Sequence, residues 1–194
     1  GAITFGAGVD ALTVSSGATL SASSIDLGAG NDNFTLATGA TLTVTGTVSG
    51  GADTDTLALT GSGTGTLGAG SFTNFELLTI SGGGDWTLTG TQSYTTIDVT
   101  GGTLAIGSGT TATVTASGAV TLDDTTVTVN DGSSLSAGSI TGGDTGVILD
   151  IATGGSVSST GAITFGAGVD AITVASSATL SASSIDLGAG NDNF

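Results

Sequence analysis

Carboxylates are the only side chains of this sequence that could act as charged ligands or catalysts. The chain has 194 residues, with 16 Asp and Glu but no Lys, Arg, His or Cys. Three aspartates end related glycine-rich motifs, with Asp10 ending GAGVD, Asp32 ending GAGND and Asp55 ending GADTD. Their spacing of 22 and 23 residues predicts that successive turns of a repetitive fold bring these carboxylates together.

Two interpretations of this acidic corner are open. Calcium prefers oxygen-only ligand sets, so Asp10, Asp32 and Asp55, with Asp53 beside them, are candidate calcium ligands. Alternatively, the corner is a solvated turn, because Asp is a good turn former. Stacked like charges about 4.8 Å apart repel by about 1 kcal/mol per pair even in water, so cations, raised pKa values or turn amides must relieve the repulsion. Two further aspartates could join the corner, Asp85 and Asp144.

Short apolar–polar–apolar segments surround each motif. In the first coil they are Ile3–Phe5, Leu12–Val14 and Ala18–Leu20. Three short strands and three turns in about 22 residues predict an all-β fold, a parallel β-helix or β-solenoid, with Ile, Leu, Val and Phe inside and Thr and Ser outside. The regular alternation disfavours disorder, and the repeated corner disfavours a β-sandwich.

A longer repeat contains the shorter one. Residues 1–34 and 161–194 differ at only three positions, where Leu12, Ser15 and Gly17 become Ile172, Ala175 and Ser177. We therefore divide the chain into a full repeat of about seven coils, 1–160, and the start of the next repeat, 161–194, without a linker. A whole number of coils would return the chain to the same phase, so the acidic corner would form one stripe and each repeat would rise about 34 Å.

Two segments depart from the regular pattern. The glycine-rich residues 61–70 predict a loop that bulges from one corner. The aromatic residues Phe72, Phe75, Trp86 and Tyr94 cluster in the next part of the chain, and they either fill a wider coil or form a platform for sugar rings.

The formal net charge of −16, with no cationic side chain, excludes nucleic acid as a partner and disfavours anionic membranes. No apolar run has the length of a membrane-spanning helix, so we expect no membrane insertion. An enzyme could use only carboxylate chemistry, with Asp53 and Asp55 or Asp123 and Asp124 as acid–base pairs on a polysaccharide. Ice binding would need a flat Thr array. The Thr-x-Thr segments do not recur at the same place in successive coils, so no such array is expected.

Parts of this chain resemble two known families. The segment 72–90, FTNFELLTISGGGDWTLTG, resembles the coils of bacterial autotransporter passengers and large β-helical adhesins. That resemblance implies a right-handed parallel β-helix on a bacterial surface. The segment 28–34, GAGNDNF, is similar to the calcium-binding nonapeptide of RTX proteins, with Gly30, Asp32 and Phe34 in place and Leu27 at the first glycine. RTX motifs recur every nine residues, whereas this one recurs every 22.

These observations predict a structural or adhesive extracellular filament protein at the bacterial cell surface, made of tandem β-solenoid repeats and without enzymatic activity. Its expected partners are further copies of itself, and host or environmental surfaces or glycans. A calcium-stabilised adhesin repeat is the alternative, and a β-helical enzyme or an ice-binding protein is a weaker one.

Overall fold

The chain folds as a β-solenoid with three faces. The computed structural model describes residues 1–68 and 71–194. Within these residues there is no helix, and every pairing between strands is parallel. The prediction of an all-β parallel solenoid is therefore confirmed. No helix in this part of the chain has the length and apolar character of a membrane span.

Each face is a stack of strands taken from successive coils. Face 1 comprises β1 (Ile3–Thr4), β4 (Ile25–Asp26), β7 (Val48–Ser49), β10 (Phe72–Thr73), β13 (Gly90–Tyr94), the first parts of β16 (Ala112–Asp123) and β18 (Ser134–Gly142), β20 (Ser156–Ser159) and β23 (Thr179–Ser181). Face 2 comprises β2 (Ala11–Val14), β5 (Asn33–Ala37), β8 (Thr56–Thr60), β11 (Leu77–Ile80), β14 (Thr96–Thr100), the second parts of β16 and β18, β21 (Ile163–Thr164) and β24 (Ile185–Asp186). Face 3 comprises β3 (Thr19–Ala22), β6 (Thr41–Val44), β9 (Thr64–Leu67), β12 (Asp85–Leu88), β15 (Thr103–Ile106), β17 (Thr126–Val129), β19 (Ile148–Ile151) and β22 (Ala171–Val174).

Apolar side chains stack in columns along the inside of each face. The column on face 2 is Leu12, Phe34, Leu57, Leu78, Ile97, Val120, Ile140, Ile163 and Ile185. Strand β5 shows the alternation that builds it, with Phe34 and Leu36 buried and Thr35 between them half-buried. Parallel strands of neighbouring coils bury a continuous apolar surface, so the hydrophobic effect stabilises every coil through its neighbours.

The second copy of the 34-residue segment lies one face further round the solenoid than the first. Ile3 pairs with Ile25 on face 1, whereas its equivalent Ile163 pairs with Ile140 and Ile185 on face 2. Twenty strands precede β21, and two of them, β16 and β18, each span faces 1 and 2. The repeat thus comprises 22 faces, or seven and one-third coils, so the expectation of a whole number of coils is wrong.

The predicted glycine-rich loop at residues 61–70 is partly a strand. Thr64–Leu67 forms β9 and pairs with β12, while Ala69 and Gly70 lie outside the described residues. Gly65 makes room for the buried indole of Trp86 on the next coil, because a Cβ there would lie 2.4 Å from the ring. On the opposite edge β9 is not paired with β6, and a cavity of about 360 Å³ lies between these strands.

Candidate functional site: ladders of buried carboxylates

A glycine turn at the corner between faces 1 and 2 positions the predicted acidic residues. Isolated bridges join Ala7 to Ala29 and Ala29 to Ala52, which sets the turns of three coils in register. The next residue in each turn has positive φ, and in the third coil it is Asp53, with φ 82°. Left-handed backbone favours glycine, so Asp53 occupies a glycine position of the turn, and its side chain is exposed.

Asp10, Asp32, Asp55 and Glu76 form a ladder along this corner, which we call the acid ladder. The amide of Asp10 donates to Oδ1 of Asp32 at 2.8 Å, and the amide of Asp32 donates to Oδ1 of Asp55 at 2.8 Å. The amide of Asp55 donates to Oε2 of Glu76 at 2.9 Å. The carboxylates of Asp32, Asp55 and Glu76 therefore each satisfy a backbone N–H of the preceding coil, which a turn without side-chain acceptors would leave unpaired.

The inner part of the acid ladder is buried. Asp32 is 2% exposed and Asp55 is 0% exposed, and in both the second carboxylate oxygen, Oδ2, is buried without a hydrogen-bond partner. Gly50 makes room for Asp55, because a Cβ at Gly50 would lie 2.7 Å from Oδ2 of Asp55 and 2.0 Å from the carbonyl oxygen of Asn74. The orphan oxygen is thus enclosed by backbone, in a chain that has no cationic side chain.

Burial raises the pKa of the Asp55 carboxyl above its ordinary value of 3.8. The amide of Asp32 opposes this rise by donating to the carboxylate, while the negative charges of Asp32, Glu76 and Asp53 add to it. A group with a raised pKa in the folded state binds a proton more tightly when folded, so folding is favoured as the pH falls.

A second acid ladder begins at another corner. The amide of Val147 donates to Oδ1 of Asp170 at 2.7 Å, and the amide of Asp170 donates to Oδ1 of Asp192 at 3.0 Å. Asp170 is 0% exposed, and its Oδ2 is also buried without a partner. Val147 directly precedes β19 and Asp170 directly precedes β22, and both strands lie on face 3. The ladder therefore lies between faces 2 and 3. The expectation of one continuous acidic stripe is wrong, because each copy places its ladder at a different corner.

The structure brings three of the four predicted ligands together. Asp10, Asp32 and Asp55 share the acid ladder, whereas Asp53 is exposed beside it. Asp85 instead opens a strand on face 3, and Asp144 lies in a turn before Val147, so the expectation that they join this corner is wrong. Within the described residues no group of three or more His, Cys, Asp or Glu is close enough to hold a metal ion.

Sequence analysis missed Glu76, which ends the first ladder. The available signal was its position 21 residues after Asp55, close to the coil length. It was missed because the turn before it lacks the GAGxD motif and a longer acidic side chain takes the place of Asp.

The aromatic cluster belongs to the core. Trp86, Phe75 and Tyr94 are buried, and Phe72 packs on Phe34 with ring centroids 5.7 Å apart. The hydroxyl of Tyr94 donates to Oε1 of Gln92 at 2.7 Å, and burial raises the pKa of Tyr94. The buried rings of Trp86, Phe75 and Tyr94 cannot stack on a ligand, so these residues fill the core and the sugar-platform interpretation is wrong for them.

Fold and ladders together define a β-solenoid repeat protein. Comparison with protein-family models, with curated proteins and with solved structures finds no match to this chain.

Proposed function

We propose that this chain is part of a tandem-repeat filament, a structural or adhesive fibre displayed outside a bacterial cell. One observation carries the proposal, which is the unbroken inner column of face 2. It runs from Leu12 in the first copy of the repeat to Ile163 and Ile185 in the second. Successive copies in such an array share one core, so the array is a stiff rod rather than a string of separate domains.

The surface chemistry supports an exposed fibre. Outward positions carry mainly Thr and Ser, and the 16 carboxylates meet no Lys, Arg or His. This surface repels nucleic acid and anionic membranes, and its hydroxyl groups can hydrogen-bond to glycans or to inorganic surfaces. The resemblance to autotransporter passengers and β-helical adhesins, in the segment 72–90, points to the same role and to the bacterial cell surface.

Immunogold electron microscopy on intact cells of the source organism tests location and shape together. Antibodies against the chain should label filaments outside the cell. Recombinant arrays of several repeats should form unbranched rods that rise about 35 Å per repeat, as seven and one-third spacings of about 4.8 Å. Label confined to the cell interior, or beads joined by flexible linkers, would reject the proposal.

Calcium stabilisation at Asp10, Asp32, Asp53 and Asp55 is the alternative form of this proposal. It is favoured by the oxygen-only donor set and by the buried, unpartnered Oδ2 atoms of Asp32 and Asp55. A calcium-stabilised array should melt at a lower temperature in excess EDTA than in millimolar calcium. Identical melting in both buffers would leave the corner as a turn held by its own hydrogen bonds.

No specific observation favours the enzymatic or ice-binding alternatives. In the pair Asp53 and Asp55, one side chain is exposed and the other is enclosed by backbone. The outward column of face 2 reads Thr13, Thr35, Ala58, Thr79 and Asp98, which is not a continuous Thr array. Assays for hydrolysis of soluble glycans and for thermal hysteresis would reveal either activity.

A further inference from the structure

The edge of β22 is prepared to pair with more of the second copy of the repeat. In the first copy, Leu12 of β2 pairs with Phe34 of β5, and β5 follows the motif that contains Asp32. In the second copy the same pairing has begun, since Ala171 bridges Asn193 and the amide of Ile172 donates to the carbonyl of Asn193 at 3.0 Å. The free edge of β22 therefore accepts the strand equivalent to β5, but on face 3 instead of face 2.

We infer that successive copies of this repeat dock with a rotation of one face, so that an array is a three-fold screw. The inference rests on the proposed function only in that it assumes an array. Each copy turns the pattern by one third of a turn, and the fourth copy restores the starting face. The true period is then three repeats, or 22 coils, which is about 106 Å at about 4.8 Å per coil.

The buried positions of the second copy show why the segment works on a different face. Ile163, Phe165 and Ile172 are 0%, 3% and 2% exposed on their new faces. All three faces have the same strand spacing and the same alternation of inward and outward residues, so an inward side chain meets an apolar column on any of them. The ladder is also transferable, because its bonds join side chain to backbone and use the amide of Val147 as readily as that of Asp10.

The rotation determines what a partner meets along the array. One repeat places its ladder, Asp10, Asp32, Asp55 and Glu76, at the corner between faces 1 and 2. The next repeat places its ladder between faces 2 and 3, beginning with Asp170. A second array that binds along one corner therefore contacts equivalent turns, which enclose the ladders, every third repeat, and each array offers such contacts on three sides.

Engineered disulfides can test the register directly, because the chain contains no Cys. With the one-face rotation, Asp150 of β19 and Thr173 of β22 are partners on face 3, and Thr141 and Thr164 are partners on face 2. If the repeat reached a whole number of coils by a longer coil after β18, Thr173 would lie on face 2, as Thr13 does, and its partner would be Thr141. Directly paired residues in neighbouring strands are close enough for a disulfide.

The variants are D150C/T173C, the matched positive control T141C/T164C, and the discriminating pair T141C/T173C. Mild oxidation of the monomeric chain should cross-link the first two and leave the third reduced, as read from thiol titration and peptide mapping. The inference is overturned if T141C/T173C cross-links or if D150C/T173C does not. Helical reconstruction of a recombinant array should then give a turn of about 120° per rise of about 35 Å, and a turn near zero would also overturn it. Neither result depends on where the filament is found, so a failure of the proposed cellular role is separable from a failure of the register.

Discussion

Asp55 is the residue at which the acid ladder is most sharply tested. Its Oδ1 accepts the amide of Asp32, while its Oδ2 is buried without a partner, next to Gly50. Asp55→Asn keeps the Oδ1 acceptor, removes the charge and places an N–H₂ donor where Oδ2 lies. Asp55→Ala removes the charge and the acceptor together. The two variants therefore separate the hydrogen bond from the charge.

Loss of the acceptor leaves the buried amide of Asp32 unsatisfied, which costs about 1–3 kcal/mol of the free energy of unfolding. For a chain of this size about 1 kcal/mol corresponds to about 2–4 °C in melting temperature. Asp55→Ala should therefore melt about 2–12 °C below Asp55→Asn. Asp55→Asn should melt above the unsubstituted protein at pH 7, because it relieves both the desolvation of a charge and its repulsion from Asp32, Glu76 and Asp53.

The pH dependence follows from the raised pKa of Asp55. The stability that the protonated Asp55 contributes is fully present below 3.8, the ordinary pKa, and is lost as the pH rises through the higher pKa of the folded state. The advantage of Asp55→Asn over the unsubstituted protein should thus be largest at neutral pH, shrink as the pH falls through the folded-state pKa, and be smallest below pH 3.8. Thermal melts followed by far-UV circular dichroism at both pH values measure it.

The opposite result would refute this reasoning. If Asp55→Asn melts below the unsubstituted protein at pH 7, the negative charge of Asp55 is stabilising and a cation must neutralise it. Repeating the melts in excess EDTA then decides whether that cation is divalent. If the difference between the two proteins does not change with pH, Asp55 titrates alike in the folded and unfolded chains, and its burial does not govern its ionisation.

Two further substitutions test the packing. Leu36→Asp, which buries an unpaired carboxylate, should cost several kcal/mol in urea unfolding, while the neighbouring Thr35→Asp on the outer surface should change little; equal losses would show that the inward and outward assignment is wrong. Gly65→Ala should cost about 1–3 kcal/mol, because its Cβ would meet the ring of Trp86, and adding Trp86→Leu should recover part of that loss in a double-mutant cycle; additive losses would mean that the ring does not depend on Gly65.

The sequence predicts the coil and the first three rungs of the ladder because both repeat locally. Apolar residues alternate within each strand, and the motifs GAGVD, GAGND and GADTD set the turns before β2, β5 and β8. The turn before Glu76 has no glycine motif to mark it. It is shorter than the other turns and contains Asn74 in a left-handed conformation instead of glycine. Burial of Asp55 was equally hidden, because it arises from packing between coils, such as the close approach of Gly50, and the motif itself carries no sign of that packing.

The one-face rotation was missed because three corners carry no turn signal. Only Thr95 separates β13 from β14, and β16 and β18 each continue from face 1 to face 2, with an irregularity in β16 between Ala116 and Ala119. In the sequence such a corner cannot be told from the strand around it, so counting turns gives too few faces. Only the register of the pairs shows that the extra face is present.

The length of the long repeat has a physical explanation that does not require whole coils. Side chains alternate between the two sides of a strand, so a displacement by part of a face would turn inward residues outward and break the column that ends in Ile163 and Ile185. A displacement by a whole face keeps every column apolar and keeps the amide of Val147 within reach of Asp170. The solenoid therefore constrains the repeat to a whole number of faces, and 22 faces meet that condition although they do not divide by three. In an array, the same constraint that preserves the core would rotate the surface. Successive copies of one short repeat would then place their ladders on three sides.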